Sequence, residues 1–418
     1  MFLELFIVFF LAFLVILTKA YFYFVEKSLI FSLPFFLDWG SIFVFVFLTL
    51  YFFMKERARS SSLDVSWKSV FKSKKNLFVF LLILIFISLS FFLNIKKQAL
   101  DWDAVTLYDA RAKFLSAGLT FKDMVDMFGG YYVMYPPFTS IIHYFWHAFL
   151  PFLNVSVFYS FNLLLIAILV FVLTKQDFGI LVSLILVFFI VSNNWVFFLS
   201  TFEYTNLPFA VFIVGGIFFL LRFLRSNSYF YLAGGFLLLS LSQFIRAIEP
   251  IAFIVGISLF LSLFFFASRS VKSIILSLLL LFLVFVQRNS YFLLSNYFGL
   301  PSDSPFSKIY SKYIFGIIDG SFFNVFVYFF TNKFLKLPIF VYFLSVLSAY
   351  YRKDSVTFFL SSLIFLSLFF FLFGLYTSYF IYPNWRNLVE SIFRLSIYLI
   401  PVSCYLTIFQ LVKLFSKH

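Results

Sequence analysis

Five aspartates that fall close together are the residues of this chain best suited to do chemistry. Asp101, Asp103, Asp109, Asp123 and Asp126 lie between positions 101 and 126 and are five of the 17 acidic residues. A carboxylate can act as a general base on a hydroxyl group. Asp101 and Asp103 would equally suit the positive N-terminal end of a helix. The pattern therefore indicates either a catalytic carboxylate or a helix cap in a solvated loop.

Further polar and ionisable residues stand next to long apolar runs. They are Glu203 and Asn206 in one segment, Arg246 and Glu249 in another, Arg288, and finally Arg386, Glu390 and Arg394. An ionisable group near a membrane is costly and is by default a functional candidate. Each arginine could instead extend its charged end to the membrane surface, and Arg246 could simply pair with Glu249.

Taken together, these residues fit one chemistry. Arginine binds phosphate through two parallel hydrogen bonds, and a carboxylate can take a proton from an acceptor hydroxyl. Because a phosphate leaving group is already weakly basic, no strong general acid is needed. The combination predicts a site for an anionic, lipid-linked substrate, either for glycosyl transfer or for binding without catalysis.

The composition indicates that these residues belong to a membrane protein. Of 418 residues, 63% are hydrophobic and 11% are charged, whereas a soluble domain carries about 25% charged residues. This excludes a cytosolic enzyme, a secreted domain and a disordered chain. Long apolar runs in lipid must be helical, so the sequence predicts an all-α polytopic membrane protein, a single domain over 1–418 with about twelve transmembrane helices. The runs lie near 3–24, 36–54, 77–95, 155–174, 178–198, 207–224, 230–245, 250–267, 273–291, 336–351, 355–375 and 393–411.

The basic residues predict the orientation. They are most concentrated in the loop 55–76, which should be cytoplasmic. Counting spans outward from it puts both termini in the cytoplasm of a plasma (inner) membrane protein. The net charge of +14 then follows from cytoplasmic loops, and no nucleic-acid partner is predicted.

The same count leaves long external segments at 96–154, 292–335 and 376–392. The first would carry the active site and a helix at 138–150 lying along the interface. The stretch 322–335 could be a further span, but it is assigned to the outside because the C-terminal charges otherwise fall on the wrong face.

Metal ligands are sparse. The single cysteine, Cys404, excludes an internal disulfide and a cysteine-based metal site. His143 and His147 are one helical turn apart, a spacing that zinc can use, but the sequence offers no complete ligand set. The sequence predicts no definite metal or cofactor, and binding of a divalent cation is left as an alternative.

Several short motifs occur in one order along the chain. They are Trp102-Asp103-Ala104 with Ala110-Arg111-Ala112-Lys113, then Tyr135-Pro136-Pro137, Tyr204-Thr205-Asn206-Leu207-Pro208, Arg246 with Glu249, and Ser391-Ile392-Phe393-Arg394-Leu395 with Pro401. In this order they resemble the GT-C superfamily of integral-membrane glycosyltransferases, which includes protein O-mannosyltransferases and aminoarabinose transferases. The resemblance implies transfer of a sugar from a polyprenyl-phosphate carrier to a lipid, glycan or protein acceptor outside the cytoplasm.

The resemblance also implies roles for individual residues. Asp103 would be the base on the acceptor, with Asp101 as its helper. Arg246 and Arg394 would hold the lipid phosphate, and Tyr135 would line the donor pocket.

The chain departs from the family pattern in three places. Asn206 replaces the usual second aspartate, so either Glu203 substitutes for it or that acid is dispensable. Two spans precede the first external loop where the simplest relatives have one, and the Asp-Glu pair of some members is missing. Two alternatives stay open: an O-antigen ligase or polymerase, favoured by the long segment 292–335, and a lipid-linked glycan flippase or transporter. The acid-rich first loop disfavours the former and the lack of repeats the latter.

Overall fold

The computed structural model describes a helical protein. The described residues are 2–57, 73–97, 104–128, 136–247, 250–266, 271–298, 320–332, 335–351, 354–381 and 394–415. Within these ranges every regular element is a helix. The helices are α1 (Phe2–Val25), α2 (Leu33–Arg57), α3 (Lys74–Lys96), α4 (Ala110–Ser116), α5 (Phe121–Phe128), α6 (Phe138–Phe149), α7 (Val157–Val191), α8 (Asn194–Leu199), α9 (Asn206–Ser226), α10 (Tyr229–Ser242), α11 (Ile251–Phe266), α12 (Val271–Tyr297), α13 (Ser321–Thr331), α14 (Lys336–Tyr351), α15 (Ser355–Ile381) and α16 (Leu399–Phe415).

Many of these helices are long and apolar enough to cross a membrane. Among the described residues eight meet this test, or nine if α13 and α14, bent at 90°, form one broken span. The 35-residue α7 is broken at Gly179, whose φ of 76° is not helical, and α10 and α11 are apolar but only 14 and 16 residues long. The prediction of an all-α membrane protein is confirmed in this general form, while the count of twelve spans stays a prediction.

The outer surface of the helices suits lipid. Large apolar side chains project from several helices, among them Phe43, Phe78 and Phe282, each of which is more than half exposed. A soluble protein seldom exposes such extensive apolar surface. The many phenylalanines are thus divided between the interior and a lipid-facing surface.

Helices α9 and α10 form the centre of the structure. They pack against each other, and α2 packs against α10 and α7 against α9. Their contact is close because glycines face each other: a Cβ added to Gly216 would lie 2.8 Å from the Leu239 side chain and 3.1 Å from the Gly235 carbonyl oxygen. Small residues commonly let membrane helices approach in this way.

Because of this close contact, replacing glycine by alanine should have opposite effects on stability at two positions. Gly216→Ala should lower the melting temperature, because overpacking of this kind costs about 1–3 kcal/mol. Gly40→Ala on α2 has nothing within 4 Å of the new Cβ and should gain about 0.5–1 kcal/mol of helix stability. Thermal unfolding in detergent measures both, and a Gly216→Ala protein as stable as Gly40→Ala would contradict the close packing.

Polar contacts define two ends of the bundle. At one end Asp177 pairs with Arg222 at 2.6 Å and with Arg225 at 3.1 Å. Arg222 and Arg225 belong to the last turn and a half of α9, whereas Asn206, predicted on the external side, is its first residue. The predicted cytoplasmic and external charges therefore fall at opposite ends of α9.

Candidate functional site

The segment between α8 and α9 collects polar side chains from distant parts of the chain. Glu203 in this segment is fully buried. Lys97, which follows α3, forms an ion pair with Glu203 Oε2 at 2.8 Å, and the Ser156 hydroxyl donates to Glu203 Oε1. These contacts fix the end of α3 and the start of α7 against the segment that leads into α9.

Arg246 lies beside the same segment. It is 8% exposed, and its Nη1 donates to Thr205 Oγ1 at 3.1 Å. The predicted apolar run 230–245 ends just before Arg246, but α10 ends at Ser242 and residues 243–247 continue as a turn and irregular chain that is buried. The 14 residues of α10 measure about 21 Å, less than the ~30 Å hydrocarbon core.

The early end of α10 leaves Arg246 on irregular backbone. Irregular backbone at membrane depth is tolerated where it is buried in protein or lines a polar cavity. A buried arginine on such a segment is therefore a functional candidate rather than a charge extended to the membrane surface.

Asn206 adds a hydrogen-bond donor next to Arg246. It is the first residue of α9 and 4% exposed, and its Nδ2 makes no hydrogen bond. The preceding Thr205 makes no side-chain cap of the helix. The N-terminus of a helix carries partial positive charge and unsatisfied N–H groups, which bind phosphate and other anions. Through its bond to Thr205, Arg246 thus lies at a helix N-terminus, a position that suits an anion.

Arg394 and Tyr108 complete this group from two other segments. The Arg394 guanidinium lies 4.2 Å from the centre of the Tyr204 ring, and the Tyr108 hydroxyl donates to Thr205 Oγ1 at 3.4 Å. We call Tyr108, Thr205, Asn206, Arg246 and Arg394 the arginine cluster. The structure brings together four of the segments in which the sequence predicted site residues.

Other predicted site residues lie outside the described residues. These are Asp101, Asp103, Tyr135, Glu249, Arg386 and Glu390. Arg288 is described, and its Nε donates to the Ala247 carbonyl oxygen at 2.9 Å. It therefore contacts the irregular segment that carries Arg246.

A second group of polar side chains borders the arginine cluster. Asp109 ends a π-helical stretch, Ala104–Asp109, and faces His143 and His147 of α6. His147 Nε2 lies 2.5 Å from Asp109 Oδ1, and His143 Nδ1 lies 3.8 Å from the same oxygen. We call these three residues the histidine cluster; the Tyr108 ring, 6.1 Å from that of His143, separates it from Thr205.

Charge and burial oppose each other in the histidine cluster. Burial raises the pKa of the Asp109 carboxyl, but the facing His143 and His147 rings and Lys113 outweigh burial and hold this pKa below its ordinary value. Burial lowers the pKa of His143, more than the attraction of Asp109 raises it. Asp109 is therefore ionised and His143 neutral at pH 7.

The sequence indicated only part of this cluster. The spacing of His143 and His147 pointed to a pair on one helix face, and that helix is present as α6. Asp109 was counted among the clustered acids, but its approach to the histidines depends on the packing of α4 and the π-helical stretch against α6. The combination of an acid-rich loop with a His-x-x-x-His pair was the only local signal.

No protein-family model, curated protein or solved structure matches this chain. The function proposed below rests on the sequence and on the geometry of these two clusters.

Proposed function

We propose that this protein is an integral-membrane glycosyltransferase of the GT-C type. It transfers a sugar from a polyprenyl-phosphate carrier to a lipid, glycan or protein acceptor on the extracytoplasmic side of the plasma (inner) membrane. The observation that carries the proposal is the buried Arg246 beside the N-terminus of α9, where Asn206 Nδ2 makes no hydrogen bond. A phosphate of the lipid carrier suits this position in charge and in hydrogen bonding.

In the proposed reaction, the arginines act on the phosphate and the aspartates act on the acceptor hydroxyl. The bond between the sugar and the phosphate oxygen breaks, and polyprenyl phosphate leaves as Arg246 and Arg394 balance its charge. Asp103, aided by Asp101, takes the proton of the acceptor hydroxyl as the new glycosidic bond forms. Tyr135 lines the donor pocket.

Glu203 has a positioning role in this proposal. Both of its carboxylate oxygens are engaged, one by Lys97 and one by Ser156. It holds Thr205 and Asn206 in place, so Asn206 contacts the donor in the position where the GT-C pattern has an aspartate.

The proposed topology has twelve spans and cytoplasmic termini. The break at Gly179 supports two spans in α7, and the apolar α10 and α11 supply two shorter ones. With α14 as a further span and α13 outside the membrane, as the sequence predicts, these helices support the proposed count of twelve. Cysteine labelling from either side of the membrane tests this: single cysteines placed next to Lys175 and next to Lys353 should react only from the cytoplasm.

The transfer reaction itself is the decisive experiment. The purified protein is incubated in lipid vesicles with radiolabelled polyprenyl-phosphate sugars and membrane extract as the source of acceptor. We expect a labelled acceptor together with free polyprenyl phosphate. A transporter would move the labelled lipid across the membrane without releasing polyprenyl phosphate, and an O-antigen ligase would require a pyrophosphate-linked glycan instead.

Arg246→Gln should weaken binding of the lipid donor about 10- to 100-fold, because hydrogen bonds to charged groups are worth about 1.5–3 kcal/mol. Titration of the polyprenyl-phosphate sugar against the purified variant measures this loss. Arg57→Gln, at an exposed position near the C-terminus of α2, is the matched control. An unchanged donor affinity in Arg246→Gln would remove the phosphate-binding role.

A further inference from the structure

The histidine cluster has the geometry of a metal site. One atom from each of Asp109, His143 and His147 lies within 4.8 Å of the other two. Zinc binds nitrogen and oxygen at about 2.0–2.2 Å in a tetrahedron, which places the ligand atoms about 3.3 Å apart. The two distances to Asp109 Oδ1, 2.5 and 3.8 Å, fall on either side of this value. Because the His147 side chain is 45% exposed, its ring can turn and lengthen the shorter of the two.

His143 supplies a second and independent observation. Its side chain is fully buried, and its Nδ1 makes no hydrogen bond although it points toward the Asp109 carboxylate. A buried polar atom that makes no hydrogen bond costs about 1–3 kcal/mol and is rare in folded proteins. A cation bound between Nδ1 and the carboxylate removes this cost.

Outer contacts hold the ligands in the orientation that a metal requires. His143 Nε2 lies 3.1 Å from the Tyr159 hydroxyl, and Lys113 Nζ holds the other Asp109 oxygen, Oδ2, at 2.9 Å. Histidine ligands of metals almost always use the second ring nitrogen in such a contact, and ligating carboxylates are likewise hydrogen-bonded. Both ligands that are buried here have their outer partner.

The types of ligand select the metal. Two imidazoles and one carboxylate favour zinc or a neighbouring transition metal, whereas calcium and magnesium prefer oxygen alone. Three protein ligands leave the fourth position of a tetrahedron open.

We propose that Asp109, His143 and His147 bind a single transition-metal ion, with zinc as the best fit. The site lies beside the arginine cluster, whose Tyr108 ring is 6.1 Å from the His143 ring. It is defined by binding alone and does not depend on the proposed transfer reaction.

Metal binding to the purified full-length protein tests the site. The protein is prepared with an affinity tag that lacks histidine, stripped with a chelator and titrated with Zn²⁺, and bound zinc is counted by mass spectrometry. We expect one ion per chain and, with Co²⁺ in place of zinc, the visible absorption of a tetrahedral complex. Zinc should also raise the melting temperature, since it binds the folded state.

The variants separate a metal site from a hydrogen-bonded group of side chains. His147→Ala and Asp109→Asn should each weaken zinc binding at least about 10-fold, and Tyr159→Phe about 10- to 100-fold through the orientation of His143. Tyr159→Phe keeps the ring, so it tests the buried histidine without emptying its place. His418→Ala removes the third histidine of the chain and Asp126→Asn an exposed acid; both should bind zinc as the parent does.

Two results would overturn the proposal. One is a stripped protein that takes up no zinc although its melting transition is intact. The other is full zinc binding by the folded His147→Ala and Asp109→Asn variants. Neither result bears on sugar transfer, which the vesicle assay measures separately, so failure of the metal site and failure of the proposed function can be told apart.

Discussion

Asp103→Asn is expected to abolish sugar transfer while leaving expression and donor binding nearly intact. The amide has almost the shape of the carboxylate, but it cannot take up the proton of the acceptor hydroxyl. Loss of a general base reduces the rate about 10²- to 10⁴-fold. Single-turnover transfer from a radiolabelled polyprenyl-phosphate sugar measures the rate, and titration with the same lipid measures binding.

Asp126→Asn is the matched control for this change. Asp126 belongs to the same acid-rich segment, but its side chain is 60% exposed and lies 3.6 Å from Lys122 on α5. This variant should transfer sugar at the parental rate, and Asp101→Asn should lose less than Asp103→Asn. Turnover retained in Asp103→Asn would exclude the proposed mechanism.

Helix positions were largely predictable because a bilayer leaves the backbone little choice. Runs of about 20 apolar residues must satisfy their N–H and C=O groups internally, and the predicted runs 336–351 and 250–267 correspond closely to α14 and α11. The sequence also divided the chain near residue 176, where a break at Gly179 falls within α7. The end of α10 at Ser242 was not predicted, because the apolar Phe244 and Ile245 extend the run beyond it.

The assembly of the site was less predictable. The ion pair of Lys97 with Glu203 joins residues 106 positions apart, and no local pattern encodes such a contact. The order of short motifs suggested that Arg246 and Asn206 belong to one site. Their position beside the N-terminus of α9 follows from the packing of α9 against α10, which the spacing of polar residues alone does not specify.

A buried ionic network between three helices was missed for a related reason. Lys19 of α1 and Asp38 of α2 form an ion pair that is almost fully buried. Lys19 Nζ also donates to Gln287 Oε1 of α12 at 2.7 Å, and the Tyr23 hydroxyl donates to Asp38 Oδ2 at 3.1 Å. Because each charge stands alone in an apolar run, no sequence pattern indicated that they meet.

Lys19→Met is expected to destabilise the protein by about 3–5 kcal/mol, because it leaves the Asp38 carboxylate buried and unpaired. The double variant Lys19→Met/Asp38→Asn should recover most of this loss, since replacing both charges of a buried pair is often nearly neutral. Unfolding in detergent with increasing denaturant measures the free energies. Lys27→Met, an exposed lysine just beyond the end of α1, should change little.

The double variant decides what the network contributes. Recovery of stability would mean that the charges are matched to each other and that α1, α2 and α12 stay together mainly through packing. If the double variant stays as unstable as Lys19→Met, the hydrogen bonds to Gln287 and Tyr23 hold the three helices together. Because α1 also packs against α6 and α10, loss of α1 would then disturb both the histidine cluster and the segment that carries Arg246.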